Sequence, residues 1–280
     1  MTLQAFHRPR SDGSDGQLFT VVHAPEGVPR GLVVVVHPFA EEHNKSRRNI
    51  ASCARALADE GLAVVATDLP GCGDSDGELE TVSWSEWVEE VRASVAWGRA
   101  RFGTLPTWLW GIRAGCLLAA QASDGLDEDL RLVFWQPQLQ GRLVLQQFLR
   151  LKMAGLLHQG SGRGVTQALQ AELDQGRAVD VAGYTLGPAL AAGLAAAQCL
   201  SPPDRLGVEV LWLEVEPDES GALKPASAAA VELWRAAGFT VREEVVQGPS
   251  FWQSAWLEEA PRLVARTAEL VSRATCRVAL

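Results

Sequence analysis

Histidine runs out early in this sequence. The five are His7, His23, His37, His43 and His158, and the chain continues to Leu280 without another. Chemistry that needs an imidazole from the C-terminal part of the chain is therefore excluded. Cysteine is sparse too: Cys53, Cys72, Cys116, Cys199 and Cys276 are scattered, odd in number and form no C-x-x-C pair. They outline neither a zinc knuckle nor a disulfide framework. Positive charge is in deficit, with a formal net charge of -9, which argues against a nucleic-acid or anionic-membrane partner. No run approaches the roughly 18 apolar residues of a membrane span. The start, MTLQAFHRPR, lacks the apolar core of a secretory signal. Internal repeats and low-complexity linkers are missing as well. The expectation is a cytoplasmic protein with no transmembrane segment and no cofactor.

What is present is apolar bulk: 47% hydrophobic residues over 280 positions, enough for one large domain with a full core. Gln17–His23 is a short strand candidate. Gly31–His37 (GLVVVVH), Leu62–Asp68 (LAVVATD), Trp108–Ile112 and Leu130–Trp135 (LRLVFW) are continuous apolar runs, the mark of strands buried on both faces of a parallel sheet. Helical patterns alternate with them. Ser46 opens one helix, with Ile50, Cys53, Ala54 and Leu57 on one face and Gly61 at its end. A second carries Trp84, Trp87, Val88, Val91, Val95 and Gly98, to about Arg101. The rhythm breaks between Pro137 and Arg205, where a helical pattern spans Leu143–Leu157 and no strong strand run appears. It resumes with Val208–Val215, the helix Ala226–Ala237 and Phe239–Val246. Leu257, Leu263, Val264, Leu270 and Val271 line a closing helix. Alternation of this kind predicts a mostly parallel, doubly wound α/β sheet. The expected layout is one domain over 1–280, with a core at about 17–136 and 206–275 and a helical cap at about 137–205.

Trp108-Leu109-Trp110-Gly111-Ile112-Arg113-Ala114-Gly115-Cys116-Leu117 reads as strand, glycine-bracketed turn and helix. That is the strand–elbow–helix of an α/β-hydrolase, where G-x-S-x-G lifts a serine above the sheet. Here the middle position is Arg113, which stays protonated and attacks no carbonyl. Two roles remain open for it. The N–H groups at a helix N-terminus favour anions, and an arginine there strengthens that preference. Alternatively, Arg113 ties loops together through nearby carboxylates. A second match to the pattern, Gly73-Asp74-Ser75-Asp76-Gly77, follows Leu69, Pro70 and Gly71 rather than a strand. It is expected to be a loop.

A triad of this fold runs nucleophile, acid, histidine, with the histidine after the last strand. That loop reads Gln247-Gly248-Pro249-Ser250-Phe251-Trp252. Glu214, Glu216 and Asp218 are candidate acids with no imidazole to orient, so a Ser-His-Asp mechanism fails on two independent counts. The loop HPFAEEHNKSRR, from His37 to Arg48, stands where hydrolases donate an oxyanion-hole N–H. It also lies at the carboxyl edge of the sheet, the functional edge of α/β folds. Phe39 and Ala114 are the candidate oxyanion or anion donors, with Arg113. His37, Glu41, Glu42, Asn44, Lys45, Arg47, Arg48 and Trp252 are the candidate pocket residues. Salt bridges from Glu41 or Glu42 to Arg113 would reconcile anion recognition with loop-tying. His37-x5-His43 with two Glu is a weak metal pattern, because no helix registers the pair on one face; no metal is expected. Cys116 is expected to pack in a helix. Cys72 is a candidate nucleophile if Arg113 or His37 lowers its pKa.

Assembled, the segments HPFAEEHNKSRR, DLPGCGDSDG, LWGIRAG, VAGYTLGPAL and GPSFW, with the W-x-x-W helix start, resemble the exosortase A system-associated hydrolase 2 family. The resemblance runs from about Val33 to Leu270. It implies an α/β-hydrolase fold in Gram-negative bacteria that couple exosortase protein sorting to exopolysaccharide production. It also implies that arginine at the elbow is a family trait and that methionine is usual where His43 stands. Two functions follow as expectations. One is a hydrolase of acyl ester or thioester-like substrates without the Ser-His pair, its nucleophile water or Cys72. The other is a non-catalytic relative that binds an anionic or acyl small molecule, or a partner, at the elbow.

Overall fold

Eight strands form one sheet in the order β1-β2-β4-β3-β5-β6-β9-β10. The computed structural model describes residues 1–126, 130–157, 164–202, 207–217, 221–254 and 256–276. The strands are β1 (Thr2–Pro9), β2 (Gln17–Ala24), β3 (Gly31–Val36), β4 (Leu62–Thr67), β5 (Thr107–Ile112), β6 (Leu130–Trp135), β9 (Glu209–Glu216) and β10 (Thr240–Gln247). From β4 onward every pairing is parallel, while β2 runs antiparallel to both β1 and β4. This is the mostly parallel, doubly wound sheet that the strand and helix alternation predicts. The N-terminal MTLQAFHRPR, in which no strand was foreseen, is the edge strand β1. Its alternation is masked because most of its side chains face solvent on both sides.

The helices are α1 (Glu41–Asp59), α2 (Trp84–Phe102), α3 (Gly115–Ser123), α7 (Pro225–Ala236) and α8 (Pro261–Cys276). Side chains alternate across the sheet as the period of two demands. Leu32, Val34 and Val36 join the core under α2 and α3, while Val33 and Val35 pack with Trp108, Trp110 and Trp135 under α1 and α8. Two of these tryptophans, Trp108 and Trp135, are hydrogen-bonded as well as buried. Trp108 Nε1 donates to Thr275 Oγ1 at 3.0 Å and Trp135 Nε1 to Thr267 Oγ1 at 2.9 Å. Two buried threonines thus fix α8 against the sheet. Leu257 is not part of that helix: α8 begins at Pro261, whose fixed φ suits a first turn, and Leu257 is exposed.

Between β6 and β9 the chain leaves the sheet, in the segment expected from the sequence to be a cap: α4 (Gly141–Leu157), α5 (Val165–Asp174), a two-stranded hairpin of β7 (Val179–Val181) and β8 (Tyr184–Leu186), and α6 (Pro188–Ala196). The hairpin was not foreseen. Its signal is the turn Ala182-Gly183, both at positive φ (51° and 86°), as a tight two-residue hairpin requires. Among the described residues no helix is long and apolar enough to cross a membrane.

Candidate functional site

The strand order reverses direction around β3, with β4 on one side and β5 on the other. The carboxyl ends of these strands, and of β6, meet at that switch point. Among the described residues, three of the four non-glycine residues at positive φ stand there: Ala40 (50°), Arg113 (55°) and Gln136 (44°). Arg113 therefore occupies the left-handed conformation of a nucleophile elbow. The flanking glycines show why the turn is possible. A Cβ on Gly115 would lie 2.2 Å from the Val36 carbonyl oxygen, and one on Gly111 would lie 2.7 Å from Cys116 Cα. No side chain fits either gap. The Arg113 N–H donates to Trp135 O at 2.9 Å, fixing the elbow to the end of β6.

The guanidinium does not reach out as a free cation. Nη2 donates to Glu42 Oε1 at 3.0 Å, and Nε lies 3.3 Å from both Glu42 oxygens. Nη1 donates to the Gln136 carbonyl at 3.4 Å, and with its amide oxygen turned inward Gln138 accepts from Nη1 at 3.1 Å. The Trp252 ring covers it, with Arg113 Cζ 4.8 Å from the ring centroid. The Arg113 side chain is 7% exposed and that of Glu42 17%. Of the two alternatives left open by the sequence, this geometry has Arg113 joining loops through a carboxylate. Trp252 comes from the loop after β10, the place of a triad histidine.

The acids of β9 are engaged elsewhere. Glu214 is buried and accepts from Trp212 Nε1 at 2.9 Å, and Glu216 pairs with Lys224 at 2.8 Å. Asp218 lies outside the described residues, as does His158. The Gly73–Gly77 stretch is a loop, with Ser75 Oγ donating to Asp68 O at 2.6 Å and accepting from the Phe19 N–H at 2.8 Å. Its hydroxyl serves the backbone.

Beside the elbow, a cavity of about 260 Å³ opens between the β3–α1 loop and the cap. Phe39, Val144, Phe148, Leu151 and Trp252 give it apolar walls, and Glu41, Glu42, Lys45, Gln147 and Gln253 supply polar groups. The Phe39 ring meets Phe148 edge-on at 5.1 Å, linking the oxyanion-type loop to α4. Burial pushes the Glu41 carboxyl above its usual range, with Glu42 adding to the shift. Lys45 makes no ion pair among the described residues.

A family model described as serine aminopeptidase, S33, matches residues 27–175. The chain belongs to this S33 family of α/β-hydrolases. A search of curated proteins returns no match. Among solved structures, the chain is similar to Est1E from Butyrivibrio proteoclasticus bound to ferulic acid (TM-score 0.65, 16% identity, 97% of this chain and 96% of that one). It is also similar to proline iminopeptidase of Mycobacterium smegmatis (0.61, 19%, 98% and 100%). An α/β serine hydrolase homologue from Coxiella burnetii is a third (0.54, 18%, 98% and 98%). At these identities the likeness is one of fold.

In this S33-family chain the residues of HPFAEEHNKSRR divide between separate environments. The reason is that α1 begins at Glu41 and not, as the sequence suggests, at Ser46. Glu41, Glu42 and Lys45 face the cap cavity, whereas His43 and Arg47, one turn apart, face Asp68 at the end of β4. Arg48 pairs with Glu259 at 2.5 Å, and Asn44 donates to Tyr184 Oη at 3.4 Å, so both stand outside the cavity. No helix carries both histidines: His43 sits in the first turn of α1 while His37 directly follows β3, yet their ring centroids are 4.3 Å apart. Burial, with His43 beside it, holds the His37 imidazole neutral at a pKa of about 3. Asp68 stays ionised, with its carboxyl at about 2: burial opposes this, but the two histidines and the Asp74 N–H outweigh it.

Cys72 does not have the lowered pKa that a nucleophilic role would require. Burial pushes its thiol up to about 12, with Asp68 adding to the shift. Cys116 packs in α3 with its thiol also raised by burial. Sequence reasoning missed Asp68, Gln136 and Gln138 as site residues. An aspartate ending the apolar run LAVVATD was the available signal for the first; the glutamines carried none.

Proposed function

We propose that this chain is an α/β-hydrolase-family protein whose cap-covered pocket binds an acyl-type small molecule without triad hydrolysis. In this reading it serves an exosortase and exopolysaccharide system in the cytoplasm. The observation that carries it is the closed elbow: Arg113, buried under Trp252 and paired twice over to Glu42, fills the space where a nucleophile and its histidine would meet. The apolar walls suit an acyl or aryl tail. Lys45, which makes no ion pair within 4.0 Å among the described residues, suits a carboxylate or similar anionic head, while the charge of Arg113 is already matched. The Phe39 and Ala114 N–H groups are the further donors for an anion or carbonyl oxygen. Motif resemblance over most of the chain supports the exosortase context; cap and core are read as one domain with the insertion at about 137–205.

Membership of the S33 family favours a second reading, hydrolysis of acyl esters or thioesters by water. Cys72 is a poor nucleophile at its raised pKa. One screen separates the readings. Purified protein is offered acyl esters, acyl thioesters and the matching carboxylates, alongside Lys45→Ala, Arg113→Ala and Cys72→Ala. The binding reading expects no turnover, and a rise in melting temperature with carboxylates that Lys45→Ala abolishes. Turnover lost in Arg113→Ala or Cys72→Ala replaces it with the hydrolase reading.

A further inference from the structure

His37, His43 and Asp68 take no part in the elbow pocket, yet their side chains are only 10%, 6% and 7% exposed. The Asp68 carboxylate is used asymmetrically. Its Oδ2 accepts from Arg47 Nη2 and from the Asp74 N–H, both at 3.0 Å. Its Oδ1 faces two imidazoles, with His43 Nε2 at 3.4 Å and His37 Nε2 at 3.8 Å. Neither contact has hydrogen-bond geometry, and His43 Nε2 is a buried nitrogen with no hydrogen-bond partner among the described residues. The three donor atoms lie within 4.8 Å of one another.

These spacings have a chemical reading. Around a tetrahedral zinc ion with bonds of about 2.0–2.1 Å, neighbouring donor atoms stand about 3.3–3.4 Å apart. Two imidazole nitrogens and one carboxylate oxygen are a zinc-type donor set. Arg47 opposes a cation here, but its side chain is 40% exposed and its Nη1 already lies 3.6 Å from Asp74, which balances its charge. All three residues border one cavity of about 160 Å³, whose lining also includes Arg47 and His23 among apolar residues such as Phe19, Val21, Ile50 and Ala54. That cavity gives an entry path and room for a water.

We propose that His37 Nε2, His43 Nε2 and Asp68 Oδ1 bind one divalent transition-metal ion of the zinc class, with a water as the fourth ligand on the cavity side. The site is distinct from the acyl pocket, because α1 sends Glu42 to one side and His43 to the other.

Cobalt tests it, since Co²⁺ takes the same donors and is coloured. Untagged protein stripped with a chelator is titrated with Co²⁺, and Zn²⁺ is then added to compete. The expected result is one equivalent with d–d bands of four- or five-coordinate intensity, bleached by Zn²⁺, and no sulfur-to-cobalt charge transfer. Loss of an outer-shell partner weakens metal binding 10- to 100-fold, so His43→Gln and Asp68→Asn, each checked for folding by circular dichroism, should weaken it about 100-fold or more. His7→Gln, at an exposed histidine, should leave it unchanged. Absence of saturable Co²⁺ binding, or undiminished binding in the folded His43→Gln and Asp68→Asn variants, overturns the proposal. If one variant fails to fold, the other decides.

Discussion

The ion pair beneath Trp252 makes the most demanding prediction. Removing one partner of a buried, hydrogen-bonded pair costs about 3–5 kcal/mol, because the other charge is left uncompensated. In Glu42→Ala the stranded group is Arg113, 7% exposed. It keeps the Gln136 carbonyl, Gln138 and the Trp252 face, which lowers the expected loss to about 2–4 kcal/mol. The reverse perturbation should be milder. Arg113→Gly strands Glu42, which at 17% exposure is closer to water, and it relieves a left-handed residue that costs about 1–2 kcal/mol. A net loss of about 1–2 kcal/mol follows. The double variant should recover part of the sum, with a coupling energy of about 1.5–3 kcal/mol. Urea denaturation of the four proteins measures these values, provided the m-value stays constant. Glu42→Ala should also acquire a stabilisation by acetate or phosphate that exceeds the parent's and survives Lys45→Ala, since its guanidinium has then lost its carboxylate. If both single variants fall within about 0.5 kcal/mol of the parent and the coupling vanishes, the pair behaves as a surface salt bridge. The closed-elbow reasoning then fails.

Three further outcomes follow. Gly115→Ala adds a good helix former inside α3, a change that normally stabilises by up to about 1 kcal/mol; here its Cβ meets the Val36 carbonyl at 2.2 Å, so thermal denaturation should show a loss of about 3 kcal/mol. A thiol titration of the folded protein with a disulfide reagent should react with the exposed Cys276 and spare Cys53, Cys72, Cys116 and Cys199 until denaturant is added; fast reaction of Cys72 would contradict its raised pKa. Glu244 is held below its usual range, chiefly by hydrogen bonding to Arg266. Its folded pKa is depressed, so its contribution is present above the unfolded value of about 4.5 and is lost as pH falls through the folded one. Stability measured from about pH 5.5 to pH 3 should therefore fall more steeply in the parent than in Arg266→Ala.

The sheet was legible because buried parallel strands are written as apolar runs: GLVVVV, LAVVAT and TWLWGI are β3, β4 and β5 within a residue or two. The elbow was legible because only glycine tolerates contacts as close as those at Gly111 and Gly115. The site's partners were less so. Whether Glu41 or Glu42 meets Arg113 depends on where α1 starts, and the helix opens without a side-chain cap at Ala40. The signal used, Ser46, is a buried residue in mid-helix. A shift of the helix start by one turn sends the charged loop to different neighbours. The approach of Asp68 to His37 and His43 is likewise a property of strand order, with β4 beside β3, and no spacing in the sequence expresses it.

The persistence of the elbow without its serine has a physical meaning. Ala40, Arg113 and Gln136 hold positive φ at the ends of β3, β5 and β6, a strain of about 1–2 kcal/mol each for residues with a Cβ. Such strain survives only where surrounding contacts over-determine it. Here the Gln136 N–H donates to Leu213 O at 2.8 Å and its side-chain oxygen accepts from the Val215 N–H at 2.7 Å, while Glu42, Gln138 and Trp252 hold Arg113. A fold under no demand at this edge would relax it by glycine substitution. The retained strain keeps the Phe39 loop, the elbow and the β6 end in fixed relation around the 260 Å³ cavity. Rigid walls favour a ligand by sparing it the ordering cost of binding. A preformed acyl pocket and a disabled triad are thus compatible in one design. The decisive comparison is between Arg113→Gly and Arg113→Ser: the glycine relieves the strain and the serine keeps it, so carboxylate binding at Lys45 should weaken in the first and survive in the second.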